Sequence, residues 1–226
     1  MIINDGAIFI ADSHYNSQRT TFKDILIDIK SKKIDTPQLF LMGDMFDFLS
    51  GEIEYFKTVN YQIISLINEL SLTIEIIYFE GNHDFNLRQL FPKIDIFSRE
   101  EQPVHIMQNH KKISLAHGDI FTPICYNIFS SLFRNHYFQK ILNIIDINNW
   151  LSISSEQKLI SKNICHKQNN FTQFIEHRIK KYNTDLVIEG HFHQGYINDK
   201  YINVPSLACD KRYMIYKNNQ FSFNTL

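Results

Sequence analysis

The chain has 226 residues, 44% of them hydrophobic, and a formal net charge of −1. That length suits one domain with a sizeable core, and the near-neutral balance supplies no global basic field of the kind that attracts nucleic acid, so no nucleic-acid partner is expected. No apolar run approaches the ~18–20 residues that span a bilayer, and the N-terminus lacks a basic stretch followed by an apolar one, so the expected location is the cytoplasm. The three cysteines, Cys125, Cys165 and Cys209, are odd in number, widely spaced and in no CxxC pair. They read as thiols in a reducing compartment rather than as a disulfide framework or a structural zinc site.

In chain order, Ile3 and the run Ala7–Ile10 predict a short buried strand with Ala11-Asp12 at its tip. Thr21-Phe22-Lys23-Asp24 fits a capping box, and Phe22, Ile25, Leu26 and Ile29 follow at helical spacing. Residues 39–42 predict a second buried strand, ending at Gly43-Asp44. Val59, Ile63, Leu66, Ile67 and Leu70 fall on one helical face, and residues 74–79 predict a third strand, ending at Glu80-Gly81-Asn82. Strands alternating with helices are the signature of a covered parallel sheet, which binds ligands beyond the carboxyl ends of its strands. Residues 104–107 and 113–116 then predict a hairpin, residues 121–182 are mostly helical, and short strands follow at 186–189, 195–197, 201–204, 213–216 and 221–223. Two β-rich halves with helices outside imply an α/β chain. It is expected to fold as a four-layer αββα sandwich in one domain, 1–226, with a helical insertion at about 121–182.

Five short polar fragments follow the apolar strands: Asp12-Ser13-His14, Gly43-Asp44-Met45-Phe46-Asp47, Gly81-Asn82-His83-Asp84, His117-Gly118-Asp119 and Gly190-His191-Phe192-His193. Each carries carboxylate, amide or imidazole groups of the kind that bind manganese, iron or zinc. In an extended segment, residues i and i+2 face the same way, so Asp12 would share a site with His14, and His191 with His193. Four of the chain's seven glycines, Gly43, Gly81, Gly118 and Gly190, adjoin these candidate ligands, where glycine permits sharp backbone and close approach to an ion. Any one fragment alone is an ordinary turn. Their joint occurrence in this order, each at a strand exit, makes coincidence a poor account.

The order D-x-H, G-D-x-x-D, G-N-H-D, H-G-D, G-H-x-H over residues 8–193 resembles that of calcineurin-like metallophosphoesterases. The resemblance implies an αββα fold and two divalent metal ions. Asp12, His14, Asp44 and His193 would hold the first ion, and Asp44, Asn82, His117 and His191 the second, with Asp44 bridging. His83 would act beside the leaving group as acid or charge stabiliser, oriented by Asp84, and Asn82 and His83 would also touch substrate. Within the superfamily, the stretch from His117-Gly118-Asp119 through Tyr126-x-x-Phe129 is similar to UDP-2,3-diacylglucosamine hydrolases of lipid A synthesis. That likeness implies a nucleotide-linked acylated sugar as substrate, manganese as the usual ion, and peripheral contact with the cytoplasmic face of the inner membrane. Gly81 to Phe85 matches those enzymes' G-N-R-D-F except at His83, where they commonly carry arginine. That departure leaves open a general soluble phosphodiesterase or phosphatase. A scaffold that has lost catalysis is a further alternative, set against a complete ligand set.

Ile124, Ile128, Phe129, Leu132 and Phe133 recur at near-helical spacing, as do Phe138, Ile141, Leu142 and Ile145, with Trp150-Leu151 beyond. Two such amphipathic helices predict either a cap over an apolar chamber or ordinary packing on the sheet or a partner subunit. Tyr126 and Arg134 are candidate substrate contacts, Tyr126 through its match to a family aromatic and Arg134 as a phosphate partner.

Overall fold

The computed structural model describes residues 1–226. Its elements run β1 Ala7–Ile10, α1 Thr21–Lys30, β2 Gln38–Leu41, β3 Leu49–Ser50, α2 Glu54–Val59, α3 Tyr61–Leu70, β4 Glu75–Phe79, β5 Asp84–Phe85, β6 Asp95–Phe97, β7 Val104–Gln108 and β8 Lys111–Ala116. There follow α4 Ile124–Arg134, α5 His136–Ile145, α6 Trp150–Ser161, α7 Phe171–Ile179, β9 Leu186–Glu189, β10 Tyr196–Ile197, β11 Tyr201–Asn203, α8 Leu207–Asp210, β12 Arg212–Lys217 and β13 Gln220–Thr225.

One sheet has the order β13-β12-β1-β2-β4-β6, and the other β10-β11-β9-β8-β7. Strands β1, β2, β4 and β6 run parallel, with β12 antiparallel against β1. In the second sheet β8, β9 and β11 are parallel, and β7 is antiparallel to β8.

The period-two alternation of side chains builds the layers. Ile8 and Ile10, Leu39 and Leu41, and Ile76 and Tyr78 enter one apolar cluster with α1 and α3. Their neighbours Phe9, Phe40, Met42, Ile77 and Phe79 point the other way, onto Leu115, Ile188 and Ile202 of the second sheet. Phe9 and Phe40 stack there with ring centroids 4.2 Å apart. The far face of the second sheet packs Val187 and Tyr201 against Phe171 and Ile175 of α7. Strands buried on both faces read as continuous apolar runs, which is why the sequence shows them so plainly.

Several local expectations fail. The residue before α1 is Thr20, and it makes no side-chain cap, so the Thr21 capping box does not form; Asp24 lies in the first turn, where its charge suits the helix dipole. Strands β3 and β5 are two residues each and pair in parallel, too short to leave a pattern. Cys165 and Cys209 are not free thiols: they form a disulfide, with Cα atoms 5.5 Å apart, because the segment after α6 packs against α8. Only Cys125 is free, and it is exposed.

The insertion forms as helices, but it does not lay its apolar faces on the sheet. Helix α4 buries only Ser130, and α5 only Gln139. Ile124 is 75% exposed and Ile144 76%, with Ile128, Phe129, Tyr137, Ile141, Ile147 and Trp150 also exposed. Polar side chains do the anchoring: Ser50 Oγ donates to Gln139 Oε1 at 2.5 Å, Gln139 Nε2 to the Phe133 carbonyl at 2.6 Å, and Tyr55 OH to Glu156 at 2.6 Å. Beneath the helices lies a cavity of about 460 Å³ walled mainly by Phe48, Phe56, Phe133, Leu142, Leu151 and Leu159.

Candidate metal centre

The parallel strands β1, β2, β4, β8 and β9 end on one side, and the five polar fragments emerge from those ends. In three of them the ligands sit in left-handed backbone rather than extended strand: φ is 50° at Asp12, 41° at His14, 54° at Asp44, 65° at His191 and 55° at His193. The shared orientation of Asp12 with His14, and of His191 with His193, therefore does not come from strand alternation. It comes from chain reversals held by cross-bonds. The Asp12 amide donates to the Gly43 carbonyl at 3.1 Å and the His14 amide to the Asp44 carbonyl at 3.0 Å. Gly43 is required by space as well as by its φ of 88°, because a Cβ there would meet the His117 ring at 2.3 Å.

Three overlapping groups of ligand atoms result, each with its atoms within 4.8 Å of one another: Asp12, His14 and His193; His14, Asp44 and His83; Asp44, His117 and His191. Asn82 adjoins the third group, its Oδ1 lying 3.4 Å from His117 Nε2. All seven expected ligands and His83 thus converge. Asp44 links the groups, with Oδ1 3.5 Å from His117 Nε2 and Oδ2 3.9 Å from His14 Nε2.

Backbone carbonyls orient the imidazoles. His117 Nδ1 donates to the Met42 carbonyl at 2.8 Å and His193 Nδ1 to that of Ile164 at 2.9 Å. Each ring thereby turns Nε2 toward a carboxylate, the usual arrangement behind a metal-bound histidine. Asp12 accepts the His191 amide on both oxygens, at 3.1 and 2.8 Å. Both ring nitrogens of His14 are buried with no hydrogen-bond partner. Orphaned buried polar atoms are rare; a cation on Nε2, the nitrogen facing Asp44, accounts for one of these two, while Nδ1 lies 3.5 Å from Asp47 Oδ1. The donor set, two carboxylates, an amide and imidazoles, fits a pair of divalent ions.

Electrostatics follow the geometry. Burial alone would raise the Asp44 carboxyl, but His117, His83, His14 and His191 hold it well below its usual range. Burial alone would lower His117, yet Asp44, Asp119, Asp12 and the Met42 carbonyl raise it to about 9. His191 is pushed down by burial and by neighbouring His117.

Asp84 does not orient His83. Its carboxylate accepts the amides of Asp44 at 3.0 Å, Met45 at 2.5 Å and Gly81 at 2.8 Å, and the Tyr78 hydroxyl at 2.6 Å. It clamps the Asp44 turn to the Gly81 turn instead. His83 is positioned by Asp47, whose carbonyl accepts from His83 Nδ1 at 2.6 Å. Asp47 also sets its Oδ1 3.5 Å from His14 Nδ1 and pairs with Arg19. The sequence showed Asp47 within Gly-Asp-x-x-Asp, but its part in holding His83 runs through a main-chain atom that no side-chain pattern reveals.

Tyr126 and Arg134 line a small cavity of about 50 Å³ with Asn82, Phe85, Phe129 and Phe133. Arg134 is already engaged, with Nη1 3.1 Å from Glu80, Nη2 donating to the Gly81 carbonyl at 2.6 Å, and its guanidinium over the Phe85 ring. Tyr126 is half-buried, with Arg99 over its ring.

The family model for calcineurin-like phosphoesterases matches residues 7–195. This chain belongs to the calcineurin-like phosphoesterase family. It is a metal-dependent phosphoesterase of α/β fold; the family binds dinuclear metals, and the His/Asp groups such a pair requires are present. Among curated relatives, the UDP-2,3-diacylglucosamine hydrolase of Histophilus somni (strain 129Pt) is 24% identical over 203 residues, covering 84% of this chain and 85% of the relative. The protein of the same name from Blochmanniella pennsylvanica is 26% identical over 209 residues, covering 86% and 81%. Among solved structures, Yfce, a phosphoesterase from E. coli, aligns with a TM-score of 0.48 at 14% identity, covering 97% of this chain and 92% of that one.

Proposed function

We propose that this phosphoesterase hydrolyses the diphosphate of UDP-2,3-diacylglucosamine, releasing UMP and 2,3-diacylglucosamine 1-phosphate, with manganese as its ion. The observation that carries the reading is the apolar chamber under α5 and α6. Its wall residue Phe133 also lines the small cavity at Asn82, which sets the chamber beside the candidate metal ligands. The name shared by the curated relatives supports the same substrate. The exposed apolar side chains of α4 and α5 suit the headgroup boundary of a membrane, where such a lipid resides.

Asp12, His14, Asp44 and His193 would hold one ion, and Asp44, Asn82, His117 and His191 the other. Bound there, the ions supply Lewis-acid charge to the phosphoryl oxygens and acidify water. The chain's own groups do the rest. His83 has Nδ1 committed to the Asp47 carbonyl, so Nε2 is the atom that delivers a proton to the leaving oxygen. Asp84 keeps the turns bearing Asp44 and Asn82 in register while charge moves across them. Tyr126 contacts the phosphates; Arg134 contacts them only through the edge its bonds to Glu80 and Gly81 leave free.

His83, where the hydrolases commonly carry arginine, favours a second reading: a phosphodiesterase of soluble substrates. Purified protein loaded with Mn²⁺ and given the lipid nucleotide in detergent decides between them. UMP release that depends on the acyl chains is expected. No release, alongside good turnover of a nitrophenyl phosphodiester, would reject the lipid substrate and leave the phosphoesterase intact.

A further inference from the structure

The β8–β9 ladder ends at the pair Ala116↔Glu189. Immediately beyond it lie the two loops that carry His117 and His191, and no backbone hydrogen bond joins residues 117–120 to 189–192. The loops nevertheless press together. A Cβ on Gly118, whose φ is 126°, would sit 3.0 Å from the His191 Cβ. What ties them is one side chain from α7. Arg178, buried at 6% exposure, donates through Nη2 to the Gly118 carbonyl at 2.7 Å and through Nη1 to the Ile120 carbonyl at 2.9 Å. Its Nη2 and Nε also hold Glu189, at 2.7 and 3.1 Å. The Phe121 and Phe192 rings each lie 5.3 Å from the guanidinium carbon. Glu189, fully buried, is completed by the hydroxyls of Tyr182 and of Tyr201, the latter at 2.7 Å.

We propose that Arg178 is a positioning residue for the second ion, acting on His117 through Gly118 and on His191 through Glu189 and Phe192. The groups it touches bracket both imidazoles in the chain: Gly118 follows His117, while Glu189 and Phe192 flank Gly190-His191. Arg178 bonds to none of the first ion's set of Asp12, His14, Asp44 and His193, and only its ring contact at Phe192 borders one of them, His193. The planar fork is what the site uses, since it reaches two carbonyls and a carboxylate at once, which a lysine ammonium in the same space does not. The inference rests on the two-metal reading and on no particular substrate.

Calorimetric titration of metal-free wild type and Arg178→Lys with Mn²⁺, followed by Mn²⁺ electron paramagnetic resonance at saturation, tests it. Wild type should take up two ions giving a spin-coupled signal. Arg178→Lys, folded by circular dichroism, should keep the first ion and bind the second about tenfold more weakly, with an isolated-ion spectrum at intermediate Mn²⁺. Wild-type affinity at both sites, or equal weakening of both, would overturn the proposal. If Arg178→Lys fails to fold, Tyr201→Phe decides, since it removes one donor to Glu189 and leaves the guanidinium. Weakening confined to the second ion supports the role; unchanged or evenly weakened binding ends it. Fewer than two ions on wild type would overturn the two-metal reading and this inference together.

Discussion

The strand tips and the helical insertion solve opposite problems. At the tips, Asp12, Asp44, Asp84 and His117 are all but inaccessible, and the buried side-chain atoms left without a partner, both ring nitrogens of His14 and Asp119 Oδ1, lie there too. In the insertion, α4 and α5 turn isoleucine, phenylalanine and leucine outward, while Ser50 holds Gln139 of α5 and Tyr55 holds Glu156 of α6. A site that must stabilise developing charge needs fixed dipoles and excluded water. A region proposed to admit a long apolar ligand needs unfilled apolar wall and exposed apolar surface. The metal-binding groups and the substrate chamber proposed above thus lie in regions governed by different forces.

The contrast can be broken most severely at Asp44, the carboxylate proposed to serve both ions. Asp44→Asn should cost about 4 kcal/mol of transition-state stabilisation, roughly a thousandfold in kcat/KM on any phosphoester. A loss of less than about tenfold on a nitrophenyl phosphodiester would mean that Asp44 does not bridge. Within the sandwich, Phe9→Ala removes the ring stacked on Phe40 and should lower unfolding stability by about 3–5 kcal/mol in a urea titration. Leu142→Asp places a carboxylate in the chamber wall. It should depress the ratio of lipid to soluble-ester turnover by about 2 kcal/mol, roughly 30-fold, and an unchanged ratio would remove the chamber from substrate binding.

A pH series sharpens the comparison at the metal end. His117 is raised to about 9 in the folded chain, against an ordinary value near 6.5. Its stabilising effect on the metal-free protein is therefore fully present below about pH 6.5 and is lost as pH rises through about 9. The midpoint of thermal unfolding should fall by a few degrees across that window. Mn²⁺ affinity should rise over the same window, because the ion displaces the His117 proton. Parallel rather than opposed trends would contradict the assignment of His117. The smallest effect belongs to the insertion: Ile144→Ser should leave stability within about 0.5 kcal/mol, yet reduce sedimentation with anionic lipid vesicles. Unaltered sedimentation would show that this face meets no membrane.

Much of the sandwich was legible because its strands are buried on both faces and its helices on one. Ile8, Phe9, Leu39 and Phe40 announce themselves as apolar runs, and the polar fragments at their ends mark the site. What escaped the sequence had no local cause. Strands β3 and β5 exist only because the loops after β2 and β4 lie side by side. Cys165 and Cys209 meet because the segment after α6 reaches α8, and the capping box at Thr21 gave way to a helix that starts from Thr20.

The sequence by itself determined which groups are available to grip cations and the order in which strand ends deliver them, since hydrophobic period and ligand chemistry are local properties. Only the tertiary structure decided how those groups are aimed. Left-handed turns, rather than strand alternation, orient Asp12, His14, His191 and His193. Asp84 serves the turns and Asp47 serves His83, and an arginine from α7 ties two ligand loops together. Hydrogen bonds to main-chain carbonyls and amides leave no imprint on residue type at the accepting position, so their partners emerge only when the chain is folded.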